Sequence, residues 1–333
     1  MTSNQLREIH DKPILVTGAA GLIGSAIMDG LSRQGVHRII ACDRLSGEKW
    51  KNLAQMKFTD YIEASDLLSW MKDGTIDRKL PSIGYVFHMG APSATNIVDP
   101  IELYQWHLDF SRRIHYWCTN RGIRLVYASS AATFGDNAVD QPDEVGLLPG
   151  LLPTSMYGWF KHRFDMYVKD TGFGDTAGLR FFNIFGANEH HKKQQSLVFR
   201  AVREIRETGK LGVFSGGDEP LYRDFFPAED AADAAIYIAR YGYRGMVSVG
   251  SGKAATWGEL AGIIVRRLNH GPEVIKEIPF PDTMGAGYQK RTRADVSVLR
   301  KIGWSHRKTL EESISDCLGH RLLDKRLGEI EEK

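Results

Sequence analysis

Short apolar runs alternate with amphipathic stretches through the first half of the chain. Pro13-Ile14-Leu15-Val16-Thr17, Arg38-Ile39-Ile40-Ala41-Cys42, Gly84-Tyr85-Val86-Phe87-His88 and Arg124-Leu125-Val126-Tyr127-Ala128 are compact and rich in β-branched or large apolar residues. Such runs read as strands buried on both faces. Between them, stretches such as Pro100 to Arg121 and the one around Tyr157 to Lys161 carry a helical pattern. Strand and helix keep alternating through Phe182, which predicts an α/β fold built on a doubly wound parallel sheet. After Phe182 the pattern changes to a polar loop, Ala187 to Gln195, then a helix through Arg206, a short strand at Leu211-Gly212-Val213-Phe214 and two helical segments near the terminus. We therefore expect a nucleotide-binding unit over residues 10–182 and a smaller substrate-binding lobe over 183–333, with some segments of the latter returning to the sheet.

The first strand runs straight into Gly18-Ala19-Ala20-Gly21-Leu22-Ile23-Gly24, followed by a helical pattern. Strand, glycine turn and helix form the context of a dinucleotide site, in which glycines let the backbone approach a pyrophosphate at a helix N-terminus. The next strand ends at Asp43, near the spacing at which an acid meets the adenosine ribose and favours NAD. Arg44, with Lys49 and Lys51 beyond, instead suits the 2′-phosphate of NADP. Gly90 and Ala91 follow the strand ending at His88 and leave room for a cofactor, while His88 itself reads as a core residue.

Composition narrows the field by exclusion. Hydrophobic residues make up 42% and charged residues 25% of the 333, and the net charge is +2 with both signs interspersed. Neither a nucleic acid nor an anionic membrane is the expected partner. Cys42, Cys118 and Cys317 are too few and scattered for a disulfide framework or a zinc site, so no metal is expected. Met1 to Lys12 is polar, and no run approaches the roughly 18 apolar residues of a spanning helix, so the expected location is cytoplasmic.

The chemistry concentrates in Tyr157-Gly158-Trp159-Phe160-Lys161, which sets a phenol and an ammonium four residues apart on one helix face. A free tyrosine, with a pKa of about 10, is a poor base at neutral pH; a neighbouring Lys⁺ and an oxidised nicotinamide favour its phenolate. Upstream, the strand through Val126 ends in Ser129 and Ser130. Glycine turn, Ser130 and the Tyr157/Lys161 pair together resemble the extended short-chain dehydrogenase/reductase family, also described as NAD-dependent epimerases and dehydratases. The resemblance spans nearly the whole chain and implies a Rossmann fold. It also implies a tightly held NADP or NAD contacted by Gly18, Gly21, Leu22, Ile23, Gly24, Asp43, Arg44, Lys49, Gly90, Ala91, Tyr157 and Lys161.

Further phrases narrow the resemblance. Tyr127 to Gly135, Arg180 to Gly186, Arg223-Asp224-Phe225, and Ile278 to Asp282 with Tyr288-Gln289 are similar to the branch of nucleotide-sugar epimerases that act at C6 of ADP-heptose in lipopolysaccharide biosynthesis. That branch implies Tyr157, assisted by Lys161 and Ser130, on one face of the reacting carbon and Lys192 on the other, with Lys193 as the competing lysine. It implies substrate contacts at Ser93, Ser130, Asn183, Phe214, Arg223 and Tyr288, and a homo-oligomer. Arg223 also reads as a surface ion pair with Asp224. The loop from Ala131 to Pro153 reads as a substrate flap. The sequence departs from the branch at Trp159, at His107 where asparagine is usual, and at Ala187-Asn188. A 4-epimerase of another nucleotide-sugar remains the enzymatic alternative, and a non-catalytic NAD(P) sensor the alternative of another class. Dehydration is disfavoured because Ala131 and Ala132 put no acid beside Ser130.

Overall fold

The computed structural model describes residues 6–80, 82–92, 99–136, 138–192, 194–215, 221–280 and 288–319. The four apolar runs become β1 (Ile14–Thr17), β2 (Ile39–Asp43), β4 (Tyr85–His88) and β5 (Arg124–Ser130), and the structure adds β3 (Asp60–Glu63), β6 (Thr176–Phe181) and β7 (Gly245–Val249). They pair in parallel in the order β7-β6-β5-β4-β1-β2-β3. Thr17 stands in register with Cys42 on one side and His88 on the other. The strand order reverses at β1, so the crevice beyond the carboxyl ends of β1 and β4 is where this topology opens a ligand site.

The principal helices are α1 (Leu22–Arg33), α2 (Ala64–Lys72), α3 (Phe110–Arg121), α4 (Met156–Thr171), α5 (Leu197–Thr208), α6 (Ala228–Tyr241), α7 (Trp257–Arg267) and α8 (Leu310–Leu318). Helices α1 and α6 cover one face of the sheet through Ile27, Leu31, Ala231, Ala235 and Ile238 over Ile14 and Val16. Helices α2, α3 and α4 cover the other through Leu67, Ile114 and Phe164 over Leu15, Val86 and Leu125. A second core gathers Leu197, Ile205, Val213, Leu260, Ile264 and Ile314 from α5, α7, α8 and the parallel pair Leu211–Ser215 and Ile275–Pro279. Among the described residues no helix is long and apolar enough to cross a membrane.

Three features differ from the sequence pattern or add to it. The helical stretch from Pro100 to Arg121 holds a π-helical turn at Tyr104–Asp109, which widens the helix beside the site. The segment that returns to the main sheet is β7, paired with β6 and delivered by α6. Alanines 228, 231, 232, 234, 235 and 239 let α6 lie close against α1, and an alanine-rich face gives little hydrophobic period to read.

The third difference is in the expected flap. Its middle is fastened: Ala138–Gln141 pairs with Thr292–Ala294, and Leu148 is buried. Asp143 accepts hydrogen bonds from Arg180 Nη1 at 2.9 Å and from Ser248 Oγ at 2.8 Å. Both charged side chains are 1% exposed, and burial raises the Asp143 carboxyl above the usual carboxylate range despite Arg180. Removing one partner of such a pair strands the other charge. Asp143→Ala should therefore lose about 3–5 kcal/mol in a denaturant titration; a change under about 1 kcal/mol, the range of an exposed pair, would show that the segment is not anchored this way.

Candidate active site

The cofactor crevice is shaped by absent side chains. Gly18 has φ +68°, and a Cβ on it would lie 2.6 Å from Gly90 Cα; one on Gly24 would lie 2.0 Å from the Gly18 carbonyl oxygen. Only glycine fits, and the resulting turn aims the N-terminus of α1 into a cavity of about 480 Å³. Gly18, Gly21, Leu22, Ile23, Gly24, Asp43, Arg44, Lys49, Gly90 and Ala91 all line it, together with Lys192. Asp43 is buried, and its carboxylate accepts from Ala20 N at 2.8 Å, from Arg44 N at 2.6 Å and from Lys49 Nζ. Arg44 turns to Glu102 at 2.9 Å and lies 4.5 Å over the Trp106 ring. Lys51 is half-buried in the turn Lys49–Asn52 and pairs with Glu48. A narrow, glycine-walled cradle at a helix N-terminus fits a dinucleotide pyrophosphate. His88 is a buried core residue, with its ring nitrogens 2.7 Å from Thr17 Oγ1 and 2.8 Å from Ser111 Oγ.

Helix α4 crossing β5 brings Tyr157 and Lys161 to Ser130 and Ala128. Ser155 caps the helix by accepting from Gly158 N at 3.1 Å. Gly158 is needed for packing: a Cβ there would lie 2.6 Å from the Ala132 carbonyl oxygen, so the helix comes close enough for Tyr157 to meet Ser130. Burial raises the Tyr157 phenol above its ordinary value, a hydrogen bond with the Ser130 side chain pulls it down, and Asp165 pushes it up. Tyr157 is thus a neutral phenol in the protein alone, and the phenolate needs positive charge brought by a ligand. Lys161 is buried and donates to the Ala128 carbonyl at 2.6 Å. Its ammonium is pushed down to about 8 by burial, against an upward pull from Asp165.

The remaining residues fall into two groups. Lys192 lines the cofactor cavity and also an adjoining cavity of about 210 Å³ that contains Asn183. The Lys192 side chain is 20% exposed, and its Nζ lies 3.7 Å from the Glu189 carboxylate. Asn183 Oδ1 accepts from Arg223 Nη1 at 3.2 Å. The guanidinium lies 4.4 Å over the Tyr288 ring, which continues through Phe280 (4.7 Å) to Phe214 (5.5 Å). The alternative reading of Arg223 as a surface ion pair does not hold. Arg223 is 8% exposed, while Asp224 turns its carboxylate to Ser251, Gly252 and Ala294. Ser93 and Lys193 lie outside the described residues.

Residues 14–250 match the model of the NAD dependent epimerase/dehydratase family. The chain belongs to that family. It is 34% identical over 312 residues to an ADP-L-glycero-D-manno-heptose-6-epimerase of Nitratidesulfovibrio vulgaris, covering 91% of this chain and 95% of that one. A relative of the same description from Alkalilimnicola ehrlichii is 34% identical, with 87% and 91% covered. Among solved structures, a UDP-N-acetylglucosamine 4-epimerase from Methanobrevibacter ruminantium superposes with a TM-score of 0.79 at 26% identity, covering 96% and 100%. The Helicobacter pylori ADP-L-glycero-D-manno-heptose-6-epimerase gives 0.78 at 23%, covering 93% and 96%. At the level of fold, then, 4- and 6-epimerases of the family are equally near.

Two further residues of this family member lie against the Tyr157/Lys161 pair, and the sequence reading did not place them there. His107 sits in the π-helical turn, edge-on to Tyr157 with ring centroids 5.4 Å apart, and Nε2 donates to the Pro92 carbonyl at 2.8 Å. Burial, then Lys161, lowers its imidazolium pKa to about 2, so the ring stays neutral. Asp165 lies one helical turn beyond Lys161 and accepts from Tyr127 Oη at 2.9 Å and Ser129 Oγ at 2.6 Å. An i, i+4 carboxylate beside a lysine was legible in sequence, but its burial was not. Lys161 loses its proton near pH 8, so if its charge assists Tyr157 alongside that of a bound ligand, substrate-driven cofactor reduction should fall as pH rises through about 8. Asp165→Asn removes the anion that holds the proton, so the basic limb should move to lower pH in a stopped-flow pH profile; an unmoved limb would refute the coupling.

Proposed function

We propose that this NAD-dependent nucleotide-sugar epimerase inverts C6 of an ADP-manno-heptose, with NADP as its resident cofactor. The observation that carries the reading is the placement of Lys192, which borders both the cofactor cavity and the adjoining cavity with Asn183. It supplies a second acid/base group on a different chain segment from Tyr157. The likeness to heptose 6-epimerases over 91% of the chain supports the substrate. So does Arg223, a buried cation paired with no carboxylate among the described residues. A buried charge left without a partner is costly, and a diphosphate matches its fork. The aromatic run from Tyr288 to Phe214 beside it offers a stacking wall for a base.

Gly18, Gly21, Gly24 and Gly90 would hold a nicotinamide cofactor in the crevice, and that cofactor would supply reversible hydride transfer at C6. The chain's own groups manage the proton. Tyr157 receives it from the C6 hydroxyl of one epimer, with Lys161 stabilising the phenolate and Ser130 fixing the oxygen. Lys192 gives or takes the proton when the opposite face is presented. Asn183 and Arg223 hold the distal phosphate end, so the carbon can turn without the substrate leaving. Lys49 already offsets Asp43, and Arg44 lines the same cavity, where a 2′-phosphate would compete with Glu102 for it.

Tyr157→Phe and Lys192→Met should each lower epimerisation of ADP-D-glycero-D-manno-heptose by about 10²–10⁴-fold, the worth of general acid–base assistance, while cofactor stays bound. NMR at C6 follows the reaction. The double variant should be little worse than either single, because a cycle blocked on one face is blocked throughout. Near-normal epimerisation by Lys192→Met would remove the two-group assignment, and turnover of UDP-glucose in its place would establish a 4-epimerase.

The cofactor assignment has its own test. Arg44→Ala should weaken NADP binding about tenfold or more, from the ~1.5 kcal/mol or more of a charge-assisted hydrogen bond, and leave NAD binding nearly unchanged. Equal losses for both would mean that Arg44 does not read the phosphate.

A further inference from the structure

We propose that Asn52 is a positioning residue that locks the segment carrying Lys192 to the glycine turn, so that cofactor and second acid/base group share one frame. The proposal rests on the Lys192 reading above. Asn52 ends the short 3₁₀ turn Lys49–Asn52 and is 2% exposed. Its amide nitrogen lies 2.8 Å from the Ala20 carbonyl oxygen, 3.2 Å from the Asn188 carbonyl oxygen and 3.4 Å from His191 Nδ1. Carbonyl oxygens only accept, so the amide is the donor, and His191 meets it with the lone pair of Nδ1. One side chain therefore joins the turn that walls the cofactor cavity to the residue immediately before Lys192.

Neighbouring contacts run the same way. Asn188 Nδ2 donates to Ser25 Oγ in α1 at 2.9 Å, and a His190 ring nitrogen lies 3.1 Å from the Glu48 carbonyl oxygen. On its far side the segment is closed by Glu189, buried, which accepts from Gly186 N at 3.0 Å and Ser196 N at 2.7 Å and lies 3.7 Å from Lys192 Nζ. Lys49, on the same 3₁₀ turn as Asn52, holds Asp43 in the cofactor cavity. The turn thus touches the cofactor side with Lys49 and the acid/base segment with Asn52. An ordinary loop anchor would need one of these attachments; this one spans both.

The test uses the full-length protein with its copurified cofactor. Two quantities are read: the rate of cofactor release into buffer, and single-turnover reduction of bound oxidised cofactor by each of the two C6 epimers. Lys192→Met first identifies the epimer that Lys192 serves by a one-sided loss; if both half-reactions survive in that variant, the two-group reading itself fails, and the Asn52 proposal with it. Given the one-sided loss, Asn52→Ala and the isosteric Asn52→Asp should slow the same half-reaction by about 10²-fold, the scale of an ångström-sized misplacement. The other half-reaction should stay within a few-fold, and release should accelerate. His191→Ala, which keeps the bond to Ala20, should reproduce the kinetic effect even if the Asn52 variants fold poorly. Equal losses in both half-reactions, or unchanged release from folded Asn52→Ala, would overturn the link.

Discussion

Gly18 and Gly90 lie so close that neither strand end could carry a side chain there, and this contact sets the geometry of the rest. It exists because β1 and β4 are adjacent parallel strands whose carboxyl ends finish at the same level. It opens the crevice at the point where strand order reverses, turns α1 so that its N-terminus faces that crevice, and brings the small residues after β4 under the same roof. Asp43, Lys49, Tyr157 and Lys192 come from four other segments, and each is useful only in relation to this fixed floor.

Charge is buried around the floor in a graded way. Arg180 and Asp143 neutralise each other at the end of the sheet and fasten the segment after Ser130. Lys161 and Asp165 share helix α4 but reach β5 separately, the lysine through Ala128 and the carboxylate through Tyr127 and Ser129. Between them they hold an ammonium that burial alone would drive further toward neutrality. Arg223 has the Asn183 amide oxygen and the Tyr288 side chain, by hydrogen bond and ring face, as company. Arg180 Nε and Arg223 Nε find no hydrogen-bond partner among the described residues, so each guanidinium is only partly satisfied within the protein.

Tyr157 and Lys192 are held in different ways. Tyr157 stands on a capped helix pressed against β5, where Gly158 removes the steric obstacle. Lys192 stands on a polar segment with no regular pairing, held by side-chain and backbone contacts to Asn52, Ser25, Glu48 and Glu189. The helix fixes Tyr157 by packing, and contacts to separate segments fix Lys192.

Local pattern alone determined a good deal. The parallel α/β sheet was legible because strands buried on both faces read as unbroken apolar runs, and the glycine turn because its conformation admits no other residue. The Tyr157/Lys161 pair was legible because a helix puts i and i+4 on one face. Tertiary structure decided what no local pattern encodes. It brought α6 and β7 back to the sheet from a stretch whose alanines give no strong period, and it turned Asp224 away from Arg223 toward distant backbone amides. It buried Asp143 and Asp165 rather than leaving them as surface acids, and it joined Asn52 to residues more than 130 positions away. The physical reason is common to these cases: burial and hydrogen-bond partnership depend on which segments meet in space, and a sequence read in order shows only which residues are neighbours along the chain.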